Sequence, residues 1–268
     1  MKNTLQEIWA NGGTVLNGWC SIGSPFTGEI MAAQGFDSLT IDGQHGALDY
    51  SDALPMFQSM RAANKPILAR VPWREPGVIM KYLDAGAAGI ICPMINSAAE
   101  AAEFASYMRY PPHGQRSFGP TRAAFAHDGY TTKAANEAVL AFAMIETAEG
   151  VRNLEDIAAT PGIDGLYVGP ADLTLGVSNG ALPPGFDRDE PEMIEVIQRI
   201  AKAAKANGIH AALHCGSAAY AVRGIEWGFD LVTILGDVRY LASAANQTVD
   251  EFRRLSGSAG ETWNVGAY

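Results

Sequence analysis

The feature of this sequence that most restricts its fold is a regular alternation of short apolar segments with longer segments of helical spacing. This alternation is the pattern of βα units in a parallel sheet. Eight strands are predicted: Thr14–Cys20, Phe36–Asp42, Pro66–Val71, Gly89–Met94, Val139–Glu146, Gly165–Gly169, Ile209–Cys215 and Leu231–Leu235. Open doubly wound sheets usually stop at about five or six strands. Eight units therefore predict an α/β fold with one (β/α)8 barrel, a TIM barrel.

Helical segments separate the predicted strands. The clearest are Asp52–Ala63, Pro76–Ala85, Ala98–Met108, Gly150–Ala159, Glu190–Asn207 and Ser217–Trp227. Two longer connections, Tyr110–Thr132 and Gly176–Asp189, interrupt the pattern, and loops of this length inside a domain are usually functional or disordered. No change in composition divides the chain. Residues 1–268 are therefore predicted to form a single catalytic domain with a tail at about 256–268.

Composition limits the class of partner. The 268 residues are 48% hydrophobic, and a closed α/β barrel typically uses about 250 residues. With 19 Lys and Arg against 29 Asp and Glu, the formal charge is −10, the wrong sign for binding nucleic acid. An anionic substrate must therefore be held by a local positive site formed from Arg, a metal or a helix N-terminus.

Cysteine usage and the N-terminal sequence predict the compartment. Cys20, Cys92 and Cys215 lie in or beside apolar segments, form no Cys-x-x-Cys pair and are odd in number. This usage is typical of reduced thiols in a cytosolic protein. Met1–Gly13 carries Glu7 and lacks the continuous apolar stretch of a signal peptide, and no apolar segment reaches the roughly 18 residues of a membrane span. A cytoplasmic protein without a membrane partner is predicted.

Polar residues that directly follow predicted strands are the candidates for catalysis, because active sites of such barrels lie at the C-terminal strand ends. Five residues meet this criterion: Asp42, His45, Arg70, Glu146 and Asp172. All of them are predicted to lie at one mouth of the barrel.

Glu146 and Asp172 follow adjacent strands and are predicted to lie about 5 Å apart, one strand spacing. A divalent cation between them would relieve their repulsion, and two carboxylates with the remaining ligands left to water and substrate are typical of Mg²⁺ or Mn²⁺. Zinc is disfavoured because no Cys or His cluster accompanies the pair. The alternative is that Glu146 is held by neighbouring backbone and Asp172 caps the helix beginning near Leu173.

Arg70 and His45 supply the remaining chemistry. Arg70 ends an apolar strand, where its guanidinium requires a carboxylate partner. It could form a structural salt bridge or bind a 2-oxo carboxylate beside the metal. His45 lies in a loop and could move a proton, with Asp42 and Asp84 as candidates to orient it. His214 also ends a strand, and packing or hydrogen bonding is favoured over catalysis there.

These residues belong to a longer set of motifs. The chain resembles the HpcH/HpaI family of metal-dependent (class II) pyruvate aldolases, which includes hydroxy-oxo-heptanedioate and dehydro-deoxy-glucarate aldolases. The resemblance covers nearly the whole chain and rests on Asp-Gly-Gln-His-Gly at 42–46, Arg70, Leu-Asp-Ala-Gly at 83–86, Asn-Ser-Ala-Ala-Glu at 96–100, Tyr-Pro-Pro-His-Gly-Gln-Arg at 110–116, Ile-Glu-Thr at 145–147 and Val-Gly-Pro-Ala-Asp-Leu at 168–173. Each motif is weak by itself, but the set is specific.

The resemblance implies roles for individual residues. It implies that Glu146 and Asp172 hold the cation, that Arg70 contacts the oxo acid, and that His45 is an acid/base supported by Asp84. It also implies that backbone amides near positions 171 and 172 receive the substrate carboxylate. The predicted substrate-binding residues are Arg70, Trp19, Gly169, Pro170, Ala171, Asp172 and Leu213.

The resemblance also implies an assembly. The barrel is expected to be of the phosphoenolpyruvate/pyruvate type and to form a homohexamer, a trimer of dimers, in which a terminal helix packs on a neighbouring subunit. Trp263 and Tyr268 in the tail suit such docking. The chain departs from the family at Met144, where many members have Gln, and at Ser117, where Gly is common. These changes leave the metal site intact and make hydroxypyruvate a candidate donor beside pyruvate.

The predicted reaction is metal-dependent aldol addition, or retro-aldol cleavage of a 4-hydroxy-2-oxo acid to pyruvate or hydroxypyruvate and an aldehyde. The cation, Mg²⁺, Mn²⁺ or Co²⁺, and Arg70 are expected to stabilise the enolate. A Schiff base is disfavoured because the lysines considered, Lys65, Lys81, Lys202 and Lys205, precede strands or lie on helices. The alternatives are a citryl-CoA-type lyase, an oxo-acid decarboxylase, and a catalytically silent barrel kept for assembly.

Overall fold

The strands of the computed structural model, which describes residues 3–258, form a closed parallel barrel. Each strand pairs with the next in chain order, and β8 returns to β1. The strands are β1 (Val15–Cys20), β2 (Ser38–Asp42), β3 (Ile67–Arg70), β4 (Gly89–Cys92), β5 (Leu140–Ile145), β6 (Gly165–Val168), β7 (His210–Cys215) and β8 (Leu231–Ile234). All eight predicted strands are present with bounds that agree within two residues, so the predicted (β/α)8 fold is confirmed.

Helices surround the barrel and connect its strands. They are α1 (Thr4–Ala10), α2 (Pro25–Ala32), α3 (Tyr50–Ser59), α4 (Pro76–Ala85), α5 (Ala98–Met108), α6 (Ala123–Ala126), α7 (Thr132–Ala138), α8 (Ala148–Arg152), α9 (Leu154–Ala158), α10 (Pro170–Val177), α11 (Pro191–Ala206), α12 (Ala218–Glu226) and α13 (Asp237–Ser256). The helix predicted over 150–159 is two short helices that meet at Asn153. The Asn153 amide donates to the Asn96 carbonyl at 2.7 Å, which ties the junction to a neighbouring loop.

Local sequence signals explain where several helices begin and end. Side chains of Ser97, Thr147 and Ser217 each accept a backbone N–H from the first turn of the helix that follows, as expected of N-cap residues. Helix α4 ends at Gly86, whose φ of 104° lies in the left-handed region that glycine adopts readily. The chain therefore turns back towards the next strand at the positions that the sequence predicts.

The strands separate two cores, because successive side chains of a strand point to opposite faces. The outer core lies between strands and helices and contains residues such as Ile41, Leu166 and Leu213. The inner core fills the barrel and includes Trp19, Ile91, Phe142, Met144, Tyr167 and Ala212. A residue's position along its strand therefore decides which of the two cores it enters.

One side of the barrel interior is polar. Asn17 donates to Thr40 and Thr233 at 3.0 and 2.9 Å, Ser38 donates to Asn17 at 2.8 Å, and the Tyr167 hydroxyl donates to Thr233 at 2.8 Å. All five side chains are fully buried. Because each has a hydrogen-bond partner, the network satisfies polar groups that would otherwise destabilise the core.

Helix α1 closes the end of the barrel where the strands begin, here called the bottom. Leu5 of α1 is fully buried against the inner core, and Trp9 stacks on His210 with ring centroids 3.6 Å apart. The opposite end, where the strands finish, is here called the mouth. Because α1 covers the bottom, the mouth is the open end of the barrel.

Helix α13 follows β8 and has little cover from its own chain. Asp237 is its one buried residue among those described. Its exposed apolar side chains are Val238, Leu241, Val249, Phe252 and Leu255. Within residues 3–258, no helix combines the length and apolar character needed to cross a bilayer.

Candidate active site

A pocket opens at the mouth of the barrel. Nine residues that the sequence predicts for the site line it: Trp19, Asp42, His45, Arg70, Glu146, Gly169, Pro170, Ala171 and Asp172. They follow or end several different strands, so the barrel brings together side chains that are far apart in the sequence. This is the arrangement of active sites in TIM-barrel enzymes.

Arg70 and Asp42 form a charged pair in the wall of the pocket. They occupy matching positions on β3 and β2, and Arg70 Nε and Nη2 donate to the two carboxylate oxygens of Asp42 at 2.8 and 2.7 Å. The guanidinium carbon also lies 4.9 Å from the centre of the Trp19 ring. These contacts fix the plane of the guanidinium. Nη1 has no protein acceptor in the described part of the chain and is left for a ligand.

Asp42 also organises the loop that carries His45. Its Oδ1 accepts the backbone N–H groups of Gln44 and His45 at 3.2 and 3.3 Å. A side chain at Gly46 would lie only 2.3 Å from the Asp42 carbonyl, so the tight loop requires glycine there. Asp42, a predicted candidate to orient His45, therefore contacts it through the backbone N–H, and no contact with the imidazole forms within residues 3–258.

The ion pair determines the charge state of Asp42. Burial by itself would raise the pKa of this carboxyl group, but the charge and hydrogen bonds of Arg70 outweigh burial and hold the pKa below its ordinary value. Burial likewise opposes the charge on Arg70, and Asp42 more than compensates and raises the pKa of the guanidinium. Both groups are therefore charged at neutral pH.

His45 lies at the rim of the pocket. Its side chain is exposed, and its ring has no hydrogen-bond partner within residues 3–258. A group that transfers protons must reach substrate or water. The position of His45 meets that requirement.

Glu146 follows β5 and is almost completely buried. Its Oε1 accepts the Met94 backbone N–H at 2.8 Å, and Met94 holds a left-handed backbone with φ of 57°. A side chain at Gly169 would lie 2.6 Å from Oε2, so glycine leaves the space that this carboxylate occupies. Burial raises the pKa of Glu146 to about 7, and the charge of Asp172 adds to the rise. Such a carboxylate is well suited to a cation.

Asp172 lies in the first turn of α10, beside Glu146 in the pocket. The helix begins at Pro170 and its N-cap is Gly169, so the alternative that Asp172 caps the helix is wrong. Glu146 forms no ion pair with a basic side chain in the described chain, and the paired oxygen ligands fit a hard divalent cation. Residues 3–258 contain no cluster of three or more His, Cys, Asp or Glu side chains that could hold a metal. Water and substrate would have to complete the coordination.

Asp84 and Leu213 lie outside the pocket, in contrast to the sequence analysis. Asp84 is near the C-terminal end of α4, where it accepts a hydrogen bond from Arg116 Nη2 at 2.8 Å. A helix that follows a strand in this fold runs back towards the bottom, and no contact between Asp84 and His45 forms within the described chain. Leu213 points outward, because its methyl group lies where a side chain at Gly224 of α12 would be placed.

Several residues of the pocket were missed by the sequence analysis. They are Ser21, Phe186, Leu235, Gly236, Asp237, Val238 and Arg239. Met144 and His214 also line the pocket, and the sequence analysis named both without assigning either to the site. The side chains of Met144 and His214, like that of Trp19, lie on the inner face of the barrel. Because side chains alternate between the two faces of a strand, both could have been identified once one inward-facing residue of each strand was known. Phe186 and the first residues of α13 lie outside the strands, so no alternation of side chains in the sequence predicts that they line the pocket.

Comparison with known proteins shows which family the chain resembles. The sequence profile described as HpcH/HpaI aldolase/citrate lyase matches residues 18–235. The chain is 36% identical over 253 residues to the hydroxypyruvate/pyruvate aldolase of Rhizorhabdus wittichii, covering 94% of this chain and 100% of that protein. It is 30% identical over 245 residues to the 5-keto-4-deoxy-D-glucarate aldolase of Klebsiella pneumoniae, covering 88% and 91%.

A solved structure extends the likeness to three dimensions. The fold is similar to the crystal structure of an HpcH/HpaI aldolase/citrate lyase family protein from Burkholderia cenocepacia, with a TM-score of 0.85 and 32% identity. The match covers 94% of this chain and 100% of that one.

Proposed function

This chain belongs to the HpcH/HpaI aldolase/citrate lyase family and is a carbon–carbon lyase of the aldolase type, and from that premise we propose how its pocket works. The reaction is the reversible cleavage of a 4-hydroxy-2-oxo acid into a 2-oxo acid and an aldehyde. One observation carries the assignment of the site: the oriented Arg70 guanidinium and two carboxylates line one pocket at the barrel mouth. A cation held by the two carboxylates and the guanidinium of Arg70 could therefore both face a bound oxo acid.

Glu146 and Asp172 are the residues that would hold a divalent cation, Mg²⁺, Mn²⁺ or Co²⁺. When bound, such a cation acts as a Lewis acid that polarises the oxo group of the substrate and stabilises negative charge on it. The buried Glu146 carboxylate and the space left by Gly169 support this assignment.

Arg70 stabilises the enolate that forms when the carbon–carbon bond breaks. Asp42 occupies Nε and Nη2, so the guanidinium already faces the pocket before substrate binds. A donor held in place in this way stabilises developing charge without reorganising during the reaction. Nη1 is the group that can donate to the enolate oxygen.

His45 moves the protons of the reaction. In the cleavage direction it removes the proton from the C4 hydroxyl as the aldehyde forms, and it later returns a proton to C3 of the enolate. Its exposed ring at the rim can also exchange protons with water. General acid–base assistance of this kind typically contributes about 10²–10⁴-fold.

The N-terminus of α10 receives the substrate carboxylate. The backbone N–H groups of Ala171 and Asp172 lie in the first helical turn and have no acceptor in the described chain. Free N–H groups at a helix N-terminus attract anions. Gly169 and Pro170 of this turn line the pocket, and Trp19 forms another part of its wall.

The proposal is tested by following the release of the 2-oxo acid from a 4-hydroxy-2-oxo acid with a coupled lactate dehydrogenase assay. A chelator should abolish cleavage, and Mg²⁺, Mn²⁺ or Co²⁺ should restore it. Borohydride added with substrate is the control for a lysine Schiff base and should not inactivate the protein. Full activity in excess chelator, together with inactivation by borohydride, would overturn the proposed mechanism.

The active form is proposed to be a cytoplasmic homo-oligomer, a hexamer built as a trimer of dimers, with residues 1–268 as one domain. The support is α13, whose Leu241, Phe252 and Leu255 are each about two-thirds exposed in a single chain. A neighbouring subunit would cover this apolar face. The tail residues Trp263 and Tyr268, which are also proposed to dock, lie outside the described residues. A fully active monomer in light scattering would contradict the assembly.

A further inference from the structure

His214 ends β7 inside the active-site pocket, and nothing in the proposed mechanism uses it. Its ring centroid lies 4.8 Å from that of Trp19 and 5.0 Å from that of Phe186, so two aromatic side chains hold it in place. Its Nε2 lies 3.0 Å from the backbone carbonyl of Leu235. Because a carbonyl oxygen can only accept a hydrogen bond, Nε2 must carry the proton.

This contact determines what the other ring nitrogen can do. Burial, together with the nearby charge of Arg70, lowers the pKa of His214 to about 4, so the ring is neutral at physiological pH. With the single proton on Nε2, Nδ1 presents a lone pair. No protein group donates to Nδ1 within the described residues, although the side chain forms part of the pocket wall.

The chemistry of Nδ1 selects the ligand group. A lone pair on an imidazole nitrogen accepts a hydrogen bond or binds a cation, but it cannot bind a carboxylate or an oxo group, since both are acceptors. Because the cation is assigned to two carboxylates, the partner left for Nδ1 is a hydrogen-bond donor. Arg70 faces the oxo acid as a donor, whereas Glu146 and Asp172 are assigned to a cation. His214 is thus a neutral acceptor held between Trp19 and Phe186, and a substrate that covers Nδ1 without donating to it leaves that atom unpaired, which is unfavourable.

We propose that His214 is a specificity-determining residue whose Nδ1 accepts a hydrogen bond from a hydroxyl group of the substrate. The proposal rests on the aldolase function proposed above and adds a substrate class to it. The hydroxyl belongs either to the 2-oxo acid, at C3, or to the aldehyde. Substrates with a methyl group in the same place leave Nδ1 unpaired and are disfavoured.

Two pairs of substrates with equal numbers of heavy atoms test the proposal. Hydroxypyruvate and 2-oxobutyrate differ in the donor by hydroxyl against methyl, and glycolaldehyde and propanal differ in the acceptor in the same way. The value of kcat/KM is measured for each compound with wild-type protein, His214→Leu and His214→Asn. Leucine removes the hydrogen-bonding group, whereas the asparagine amide can place an acceptor near the position of Nδ1.

The expected result is a fall in the hydroxyl-to-methyl ratio of about 3- to 10-fold in His214→Leu, the loss of one neutral hydrogen bond. His214→Asn should retain most of the ratio. A change confined to the hydroxypyruvate pair assigns the hydroxyl to the donor, and a change confined to the glycolaldehyde pair assigns it to the aldehyde.

Two results would overturn the proposal. If His214→Leu lowers all four values equally, His214 only supports the turn at Leu235, whose φ of 51° is unusual for that residue. If the wild-type protein itself prefers the methyl compound in both pairs, the proposal fails whether or not the variants fold. By contrast, absence of aldol activity with every compound at saturating Mg²⁺ would overturn the proposed function first.

Discussion

The two ends of β7 carry the same residue type in different surroundings. At the bottom, His210 Nδ1 lies 2.8 Å from Asp230 Oδ2, and Trp9 covers the ring. At the mouth, His214 lines the pocket and has one backbone partner, and its second nitrogen has no protein donor within residues 3–258. The bottom histidine is thus committed to protein contacts, while the mouth histidine keeps one ring nitrogen available to a ligand.

The carboxylates at the two ends of the barrel differ in the same way as the two histidines. Three residues that precede strands at the bottom each accept a backbone N–H of a neighbouring strand: Asp37, Asp164 and Asp230. At the mouth, Glu146 has a protein donor for one oxygen and leaves the other to the pocket. The comparison teaches that these bottom carboxylates are bound to the backbone of the barrel, whereas Glu146 at the mouth keeps an oxygen for a ligand, as expected for this fold.

The largest predicted effect is the loss of activity and cation affinity when a carboxylate at the mouth, but not one at the bottom, is replaced by its amide. Glu146→Gln and Asp172→Asn should abolish nearly all aldolase activity and cation affinity but leave the protein folded, because burying the unpaired charge of Glu146 is unfavourable in the absence of a cation. Calorimetric titration with Mn²⁺ and thermal unfolding measure the two properties. The bottom control, Asp164→Asn, should bind Mn²⁺ normally. Unchanged Mn²⁺ affinity in a mouth variant would remove that residue from the site.

The second prediction distinguishes two residues of the mouth by the step each serves. His45→Ala should lose about 10²–10⁴-fold in aldol cleavage but retain oxaloacetate decarboxylation, which reaches the enolate without removing a hydroxyl proton. Arg70→Ala should lose about 10²–10³-fold in both reactions, because both pass through the enolate.

Two controls accompany this comparison. Arg70→Lys should recover part of the activity, since lysine retains the charge but not the planar fork. Equal loss of both reactions in His45→Ala, with normal binding of Mn²⁺ and pyruvate, would contradict the acid–base role.

The third prediction concerns the stability of the mouth ion pair. Asp42→Asn should lower the free energy of unfolding by about 3–5 kcal/mol, because it leaves the buried Arg70 charge without its partner. The folded pKa of Asp42 lies below the value of about 3.9 for an unfolded chain. The contribution of its ionisation is therefore complete above that pH and is lost as pH falls through the folded pKa. Urea unfolding from pH 7 to pH 3 should show a smaller pH dependence in the variant than in wild type.

The smallest predicted effect lies at the bottom. Asp230→Asn should reduce the free energy of unfolding by about 1–3 kcal/mol, the range for leaving a buried hydrogen-bonding group unsatisfied. Its kcat/KM per folded molecule should stay at the wild-type value, because α1 and the barrel core separate Asp230 from the pocket. A large change in KM for the 2-oxo acid would show that the two ends are coupled and would break the comparison.

The sequence by itself determined the order and type of the strands. Short β-branched segments alternate with helical ones, and this periodicity reflects local geometry that does not depend on distant contacts. It also indicated which polar residues lie at the mouth, because the end of each strand can be read from the sequence. Arg70 and Glu146 were found in this way.

Tertiary structure decided which groups meet. In β7 one face carries Ala211, Leu213 and Cys215 and the other His210, Ala212 and His214. The closed barrel decided that Leu213 faces the helices and that His214 lines the pocket. The partner of Asp42 depends on the register of β2 and β3, which aligns it with Arg70 and leaves His45 held only by its backbone. Phe186 reaches the pocket from the loop before α11, and Arg239 from the first turn of α13. Local periodicity in the sequence does not show where either segment packs against the closed barrel.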